Sequence, residues 1–325
     1  MVAVIMPVYN RADCLGYALK SLTMQTDRKF VTIVVDDCST EDIKSVCDSF
    51  RDQLMLVYLK TDVNSGPGIA RQVGIDYAAE MRWEYVMFLD GDDAYMPNTV
   101  EKLAYEIKHR GDDFVGSAIS AQGGLGNPGY TIDPIMNSRI WVHGKIYRTS
   151  FLVNNGIRFE EGLRGNEDVC FNIKCYYMTK KKSFLEDNLY LWRNEKTSIT
   201  RRTYDIEFER IVSIDYIEAV CKALVFLDKK NVKLPRDICN YAFFCYNYYQ
   251  VALAKDRDLT KTDEYLTQLF SINLVKEAFK RHRVWADNEK FIGRYKIVNK
   301  EIIWYKQGFD EWLKKFGIDI NQKLI

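Results

Sequence analysis

The sequence predicts an α/β fold, a mostly parallel sheet flanked by helices, followed by a helical C-terminal region. Apolar runs of strand length recur at residues 2–6, 31–35, 55–59 and 85–89, and segments of helical spacing separate them. Strands apolar on both faces suit a parallel sheet covered by helices, and the alternation supplies the crossovers. From about residue 205 the chain changes to long helical patterns rich in Tyr, Phe and Lys. The predicted organisation is therefore one α/β domain over residues 1–204 and a helical region over residues 205–325.

The first strand leads into a helix over residues 12–23, where Leu15, Ala18, Leu19 and Leu22 share one stripe. Further helices are predicted over 41–50, over 67–81 and over 98–109, with Pro97 suited to a helix's first turn. The pattern then loosens. Strands are expected at 114–120, 140–147, 183–186 and 189–192, with a helix at 167–178 between the last two pairs. Helices over 205–227, 236–254 and 264–283 complete the reading.

With 46 basic and 45 acidic residues among 325, the net charge of +1 argues against a protein built chiefly to grip nucleic acid, although a local basic patch stays open. The eight cysteines form no CxxC pair and no zinc spacing, so reduced buried thiols are expected. The N-terminus lacks a signal-like run, and no apolar stretch approaches the roughly 20 residues that cross a bilayer. A cytoplasmic protein is expected, either free or peripheral at the inner face of the membrane.

The chemistry gathers where strands end. In YVMFLDGDDAYMP, residues 85–97, an apolar strand runs into Asp90, Asp92 and Asp93. A surface turn explains Asp-Gly locally; a metal site explains the pair Asp90 and Asp92, which two-residue spacing puts on one side of an extended chain. Carboxylates with Mg²⁺ or Mn²⁺ commonly hold a nucleotide's phosphates. A calcium-loop reading fails because Ala94 and Tyr95 stand where it needs a liganding side chain and a glycine. Asp36 and Asp37 end another strand at the same edge, where open α/β sheets bind ligands. Gly66 and Gly68 loosen the loop before Pro67, and Arg71, one turn in, could pair with a phosphate or with one of the aspartates.

Glu167 and Asp168 follow Asn166 at a helix start, which suits both a cap and a general base. Arg193, Ser198, Thr200 and Arg201 lie in a polar loop that reads as a phosphate clamp or as a solvated connection. The GxGxxG at 124–129 is a decoy, since Pro128 interrupts it and no helix follows; it reads as a flexible loop near the site. His143, near Lys145 on an expected strand, is open as a third metal ligand, a substrate contact or a packed side chain.

Five segments in order, VIMPVYNR, IVVDDCST, NSGPGIARQVGI, FLDGDDAYMP and GNEDVCFNIK, resemble the inverting family-2 glycosyltransferases of GT-A fold. WVHGKIYRTSFL and YLWRNEKTSITR add to the resemblance, particularly to non-processive bacterial and viral members. It implies that Pro7 and Tyr9 line the nucleotide base with Tyr9 stacked on it, that Asp37 bonds uracil, and that Arg71 steadies the base or ribose. It places Asp90 and Gly91 at the donor, Asp90 by the ribose or the metal, and Asp92 on Mn²⁺ or Mg²⁺. Asp168 becomes the general base and Glu167 its support or an acceptor contact. Lys145, Arg193, Ser198 and Arg201 fall to the diphosphate or acceptor, and Asp93 is left as a turn or cap residue.

The implied partners are a nucleotide-sugar donor, UDP-linked by preference, and a hydroxyl acceptor on a glycan, a lipid-linked glycan or another polymer. Gln72 stands where the family usually has Asn, and the QxxRW signature is absent, which points away from processive polymerisation. Two rivals remain: a sugar nucleotidyltransferase, whose Gly-rich loop after the first strand is missing, and a non-catalytic binding module. Residues 205–325 carry no assigned motif and are open as an acceptor-binding, membrane-docking or oligomerising region.

Overall fold

The structure, a computed structural model, describes residues 1–122, 129–132, 141–163, 165–193, 206–232, 238–253, 259–281 and 309–318. The chain divides into two compact units, Met1–Thr203 and Tyr204–Ile325.

In the first unit, β1 (Val2–Val8), β2 (Phe30–Asp36), β3 (Leu56–Lys60) and β4 (Tyr85–Phe88) pair in parallel, in the order β3-β2-β1-β4. Every residue of β1, β2 and β4 is buried, as strands covered on both faces must be. Helix α1 (Ala12–Thr23) buries the predicted stripe of Leu15, Ala18, Leu19 and Leu22. Helices α2 (Ile43–Asp48) and α3 (Pro67–Glu80) make the next two crossovers. At Gly74 of α3 an added Cβ would lie 2.4 Å from Ile5 Cγ2, so glycine sets how closely α3 rests on β1.

Beyond β4 the sheet becomes mixed. A short β5 (Ala94–Tyr95) precedes α4 (Thr99–Arg110), which Gly111 closes at φ 68°. Strand β6 (Phe114–Ala121) pairs with β7 (Tyr130–Ile132) and with β8 (Lys145–Arg148), and β8 runs antiparallel to β4. The strand expected over 140–147 is thus shorter: it starts at Lys145, and residues 143–144 are a turn, which brings His143 in front of β8. Helix α5 (Thr149–Asn155) was not expected. After α6 (Glu167–Met178) comes β9 (Lys182–Trp192), a single strand where two were expected. It pairs in parallel with β6 and keeps its line through a register irregularity around Ala118.

The second unit comprises α7 (Ile206–Lys229), α8 (Ile238–Leu253), α9 (Thr260–Ser271), α10 (Asn273–Arg281) and α11 (Phe309–Lys315) among the described residues. The helix expected over 264–283 is two helices, because Ile272 leaves the helical region at φ −66°, ψ 125°. Trp312 anchors its core, with ring centroids 4.9 Å from Tyr246 and 5.0 Å from Phe270. All eight cysteines are free thiols, as expected. No helix among the described residues is long and apolar enough to cross a membrane.

Candidate active site

The carboxyl ends of β1, β2 and β4 present Tyr9, Asp37 and Asp90 along one edge. Because β8 is antiparallel to β4, His143 arrives at this edge from the other direction; β9 delivers Tyr190 and Arg193 there as well.

Asp90 is gripped from two sides. Arg71 Nη2 donates to its Oδ1 at 2.6 Å, and His143 Nε2 lies 3.0 Å from Oδ2. Burial favours the protonated acid, but Arg71 and His143 outweigh it and hold the carboxyl below the usual range. Asp93 is 2% exposed; it accepts from the Tyr190 hydroxyl at 2.6 Å and from the Arg193 amide at 2.8 Å. Burial, then the charges of Asp90 and Asp92, push its pKa well up. Asp93 does close a turn, its amide donating to Asp90 O at 3.1 Å, yet its carboxylate is the buried tie between the end of β4 and β9. That corrects the turn-or-cap expectation: the side chain belongs to the packing.

Asp92 differs from both neighbours. Among the described residues no other residue donates a hydrogen bond to its partly buried carboxylate, and burial plus the adjacent Asp90 raise its pKa. A bound cation relieves that crowding of negative charge. Ligand atoms of Asp90, Asp93 and His143 also lie within 4.8 Å of one another. Oxygen donors with one imidazole suit Mn²⁺ or Mg²⁺. Asp92, the ligand expected from the sequence, is not among these three; Asp93, which also serves Tyr190 and Arg193, is the one brought together with Asp90 and His143.

Other predicted residues fall into place unevenly. Asp37, 2% exposed, accepts from Thr61 Oγ1 and the amides of Ser65 and Gly66, shaping the loop before α3. Pro7 is buried within β1, whereas Tyr9 is 48% exposed just beyond it. Gly91 is buried against Val8, where a Cβ would come within 3.3 Å of Val8 Cγ2. Arg71, expected at the base or ribose, is 3% exposed, with its second arm donating to Glu167 Oε1 at 2.8 Å. Of the alternatives its sequence position left open, pairing with an aspartate is the one observed. Lys145, expected at the diphosphate or acceptor, also lies inside. Fully buried, its Nζ donates to the Trp141 carbonyl, and burial lowers its pKa to about 7, so it does not open onto a ligand.

Glu167 and Asp168 open α6, preceded by Asn166 at φ 56°. Glu167 is buried on Arg71. Asp168 keeps its carboxylate available, accepting from the next amide, Val169 N, at 2.8 Å. Burial, reinforced by Glu167, pushes its pKa up to about 8, with Arg71 opposing. Arg193 Nη1 donates to Asp92 O at 3.2 Å, and its guanidinium lies 3.8 Å over the Tyr17 ring. Ser198, Thr200 and Arg201, like the loop at 123–128, lie outside the described residues. Nothing in the sequence marks Tyr190 or Tyr17: each is an ordinary aromatic position whose role depends on a contact distant in the chain.

The first unit is thus a mixed sheet flanked by helices, with acids at its carboxyl edge and a carboxylate at the head of α6. Residues 3–186 match Glycosyl transferase family 2, and the chain belongs to that family. Poly(ribitol-phosphate) beta-N-acetylglucosaminyltransferase TarS of Staphylococcus aureus is 32% identical over 206 residues, covering 60% of this chain and 35% of TarS. The chain thus spans about a third of that relative's length. Glycosyltransferase GlyG of Streptococcus pneumoniae is 26% identical over 310 residues, 87% of this chain and 98% of GlyG. The crystal structure of S. aureus TarS in complex with UDP superposes with a TM-score of 0.63 at 24% identity, covering 87% of this chain and 84% of that one. Mannosyltransferase PcManGT from Pyrobaculum calidifontis, in complex with GDP-Man and Mn²⁺, has a TM-score of 0.53 at 16% identity, over 88% and 87% of the two chains. At these identities the two structures support the fold alone.

Proposed function

We propose that this glycosyltransferase moves a sugar from a UDP-sugar to a hydroxyl of a glycan or polymer acceptor, with inversion and with Mn²⁺ or Mg²⁺ held at Asp92. The observation that carries the proposal is the contrast among the edge acids. Asp90 and Glu167 are tied to Arg71 by ion pairs and Asp93 to Tyr190 and Arg193, whereas among the described residues Asp92 accepts from no other residue and Asp168 only from the adjacent Val169 amide. The donor class is supported by relatives: TarS has been crystallised with UDP and with UDP-GlcNAc. Acceptor class follows the same route, since TarS and a Bacillus spizizenii relative at 27% identity are named for poly(ribitol phosphate).

Tyr9, exposed beside the edge, stacks on the base; Asp37, with three of about four acceptor positions used, retains one for the uracil N3–H. Asp92, adjacent in the chain to the cluster of Asp90, Asp93 and His143, would hold the cation, which when bound would neutralise charge on the departing diphosphate. Arg193, already at the Asp92 backbone, adds positive charge on the same side. A carboxylate cannot fully deprotonate an alcohol beforehand, so Asp168 takes the acceptor's proton as the new bond to the anomeric carbon forms. Attack from the face opposite the diphosphate inverts that centre.

A thermal-shift panel of UDP-, GDP- and dTDP-sugars with Mn²⁺ tests the proposal, because a ligand that binds the folded state raises Tm. A shift confined to uridine donors and abolished by EDTA is expected. No shift with any nucleotide sugar would return the fold to a binding module.

A further inference from the structure

We propose that Arg71, together with Gly68 and Glu167, positions the general base by tying the first turn of α6 to the aspartate that ends β4. This inference rests on Asp168 being the base. Glu167 and Asp168 are adjacent in the chain but differ in what they touch. Glu167 packs against the start of α3: a Cβ on Gly68 would lie 2.8 Å from Glu167 Cγ and 3.1 Å from its Cβ. Only a residue without a side chain admits Glu167 there. One turn on, Arg71 extends Nη1 to Glu167 Oε1 at 2.8 Å and Nη2 to Asp90 Oδ1 at 2.6 Å.

The guanidinium is held for these two partners. Its Nε has no acceptor although it is buried, so satisfying the two carboxylates, not the greatest number of hydrogen bonds, sets its orientation. The Phe159 ring, 5.9 Å from the guanidinium carbon, is itself stacked on Phe171 of α6 at 4.2 Å and 5°. Arg71 therefore joins three chain segments that are remote in sequence: α3, the end of β4 and the head of α6. Asn166 precedes Glu167 in the left-handed region, at φ 56°, a conformation that asparagine adopts more readily than most residues and that a contact on its neighbour helps to hold. Glu167 supplies such a contact, and it is a positioning residue; Asp168 touches the reacting hydroxyl.

The tests are Gly68→Ala, Glu167→Ala and Glu167→Gln, read by Mn²⁺-dependent hydrolysis of UDP-N-acetylglucosamine and by UDP affinity. Gly68→Ala evicts Glu167 without altering charge; a base misplaced by about 1 Å lowers kcat by about 100-fold. UDP Kd and donor KM should stay within about twofold, the mark of an interaction made only in the transition state. Glu167→Gln keeps the acceptor for Arg71 and should restore most of the kcat that Glu167→Ala loses, which it could not do if Glu167 exchanged protons with substrate. Asp168→Asn separates the two ideas. If it retains turnover, the base assignment fails. If it is inactive while Gly68→Ala and Glu167→Ala keep wild-type kcat, the positioning role fails alone. A crystal structure of Gly68→Ala supplies a readout independent of substrate: a displaced Asp168 carboxylate is expected, and one that has not moved overturns the inference.

Discussion

Asp92 and Asp168 are separated from the other acids of the sheet edge by what surrounds them, not by residue type. Asp36, fully buried at the end of β2, is another committed carboxylate: burial favours its protonated form, but Ser39, Tyr58 and Lys60 outweigh it and keep its pKa low. Asp168 lies on the opposite side of this balance. Its pKa rises from 3.8 to about 8, so the folded state binds the proton more tightly than the unfolded chain. Its contribution to stability is full below the unfolded value and is lost as pH rises through the folded one. Asp168→Asn, neutral throughout, should therefore be more stable than wild type by a margin that grows between about pH 4 and about pH 8, to on the order of several degrees in Tm. Wild-type turnover should rise with pH over the same interval, since only the deprotonated base accepts a proton. A Tm difference independent of pH would contradict the shift.

Asp93 was the acid least legible in the sequence. Asp-Gly-Asp-Asp reads as a metal pair followed by a turn residue, and the turn is there. What the sequence could not show is that Tyr190, 97 residues on, donates to Asp93. Asp93→Ala should leave the Tyr190 hydroxyl and the Arg193 amide buried without their acceptor, at about 1–3 kcal/mol each, and lower Tm. Asp92→Ala should leave Tm nearly unchanged and remove the response to Mn²⁺. Melting curves of the two variants with and without Mn²⁺ check both outcomes.

Elements were legible wherever apolar periodicity alone determines them. Strands β1 to β4 and helices α1, α3, α4 and α6 follow their patterns closely because each buries a continuous face. Errors fell where a tertiary contact decides: β8 starts only at Lys145, since the turn before it delivers His143 to Asp90, and β9 runs unbroken because β6 and β5 pair along it. Gly74 shows the same dependence from the packing side. Substituting alanine puts a methyl 2.4 Å from Ile5 Cγ2, and the overpacking should cost about 1–3 kcal/mol, more than the gain in helix propensity of about 1 kcal/mol. Urea denaturation should show a lower midpoint; an unchanged or higher one would mean that α3 can shift on β1.

At the scale of the whole molecule, the family match covers residues 3–186 and so falls on the unit that carries the acids. The order of five motifs made that family readable from sequence, because each motif sits at a strand end or helix start that the GT-A sheet brings to one edge. The second unit has a core of its own around Trp312, built from aromatic residues without a motif.

Calorimetric titration of UDP into the wild-type protein and into Asp92→Ala and Asp168→Asn, each with Mn²⁺ and with EDTA, tests the division of labour between the two uncommitted carboxylates. Wild type and Asp168→Asn should bind UDP more tightly with Mn²⁺ by about tenfold or more, an increment that Asp92→Ala should lose. Equal UDP affinity in Mn²⁺ and EDTA for the wild type would contradict the assignment of Asp92 as the residue that joins metal and diphosphate.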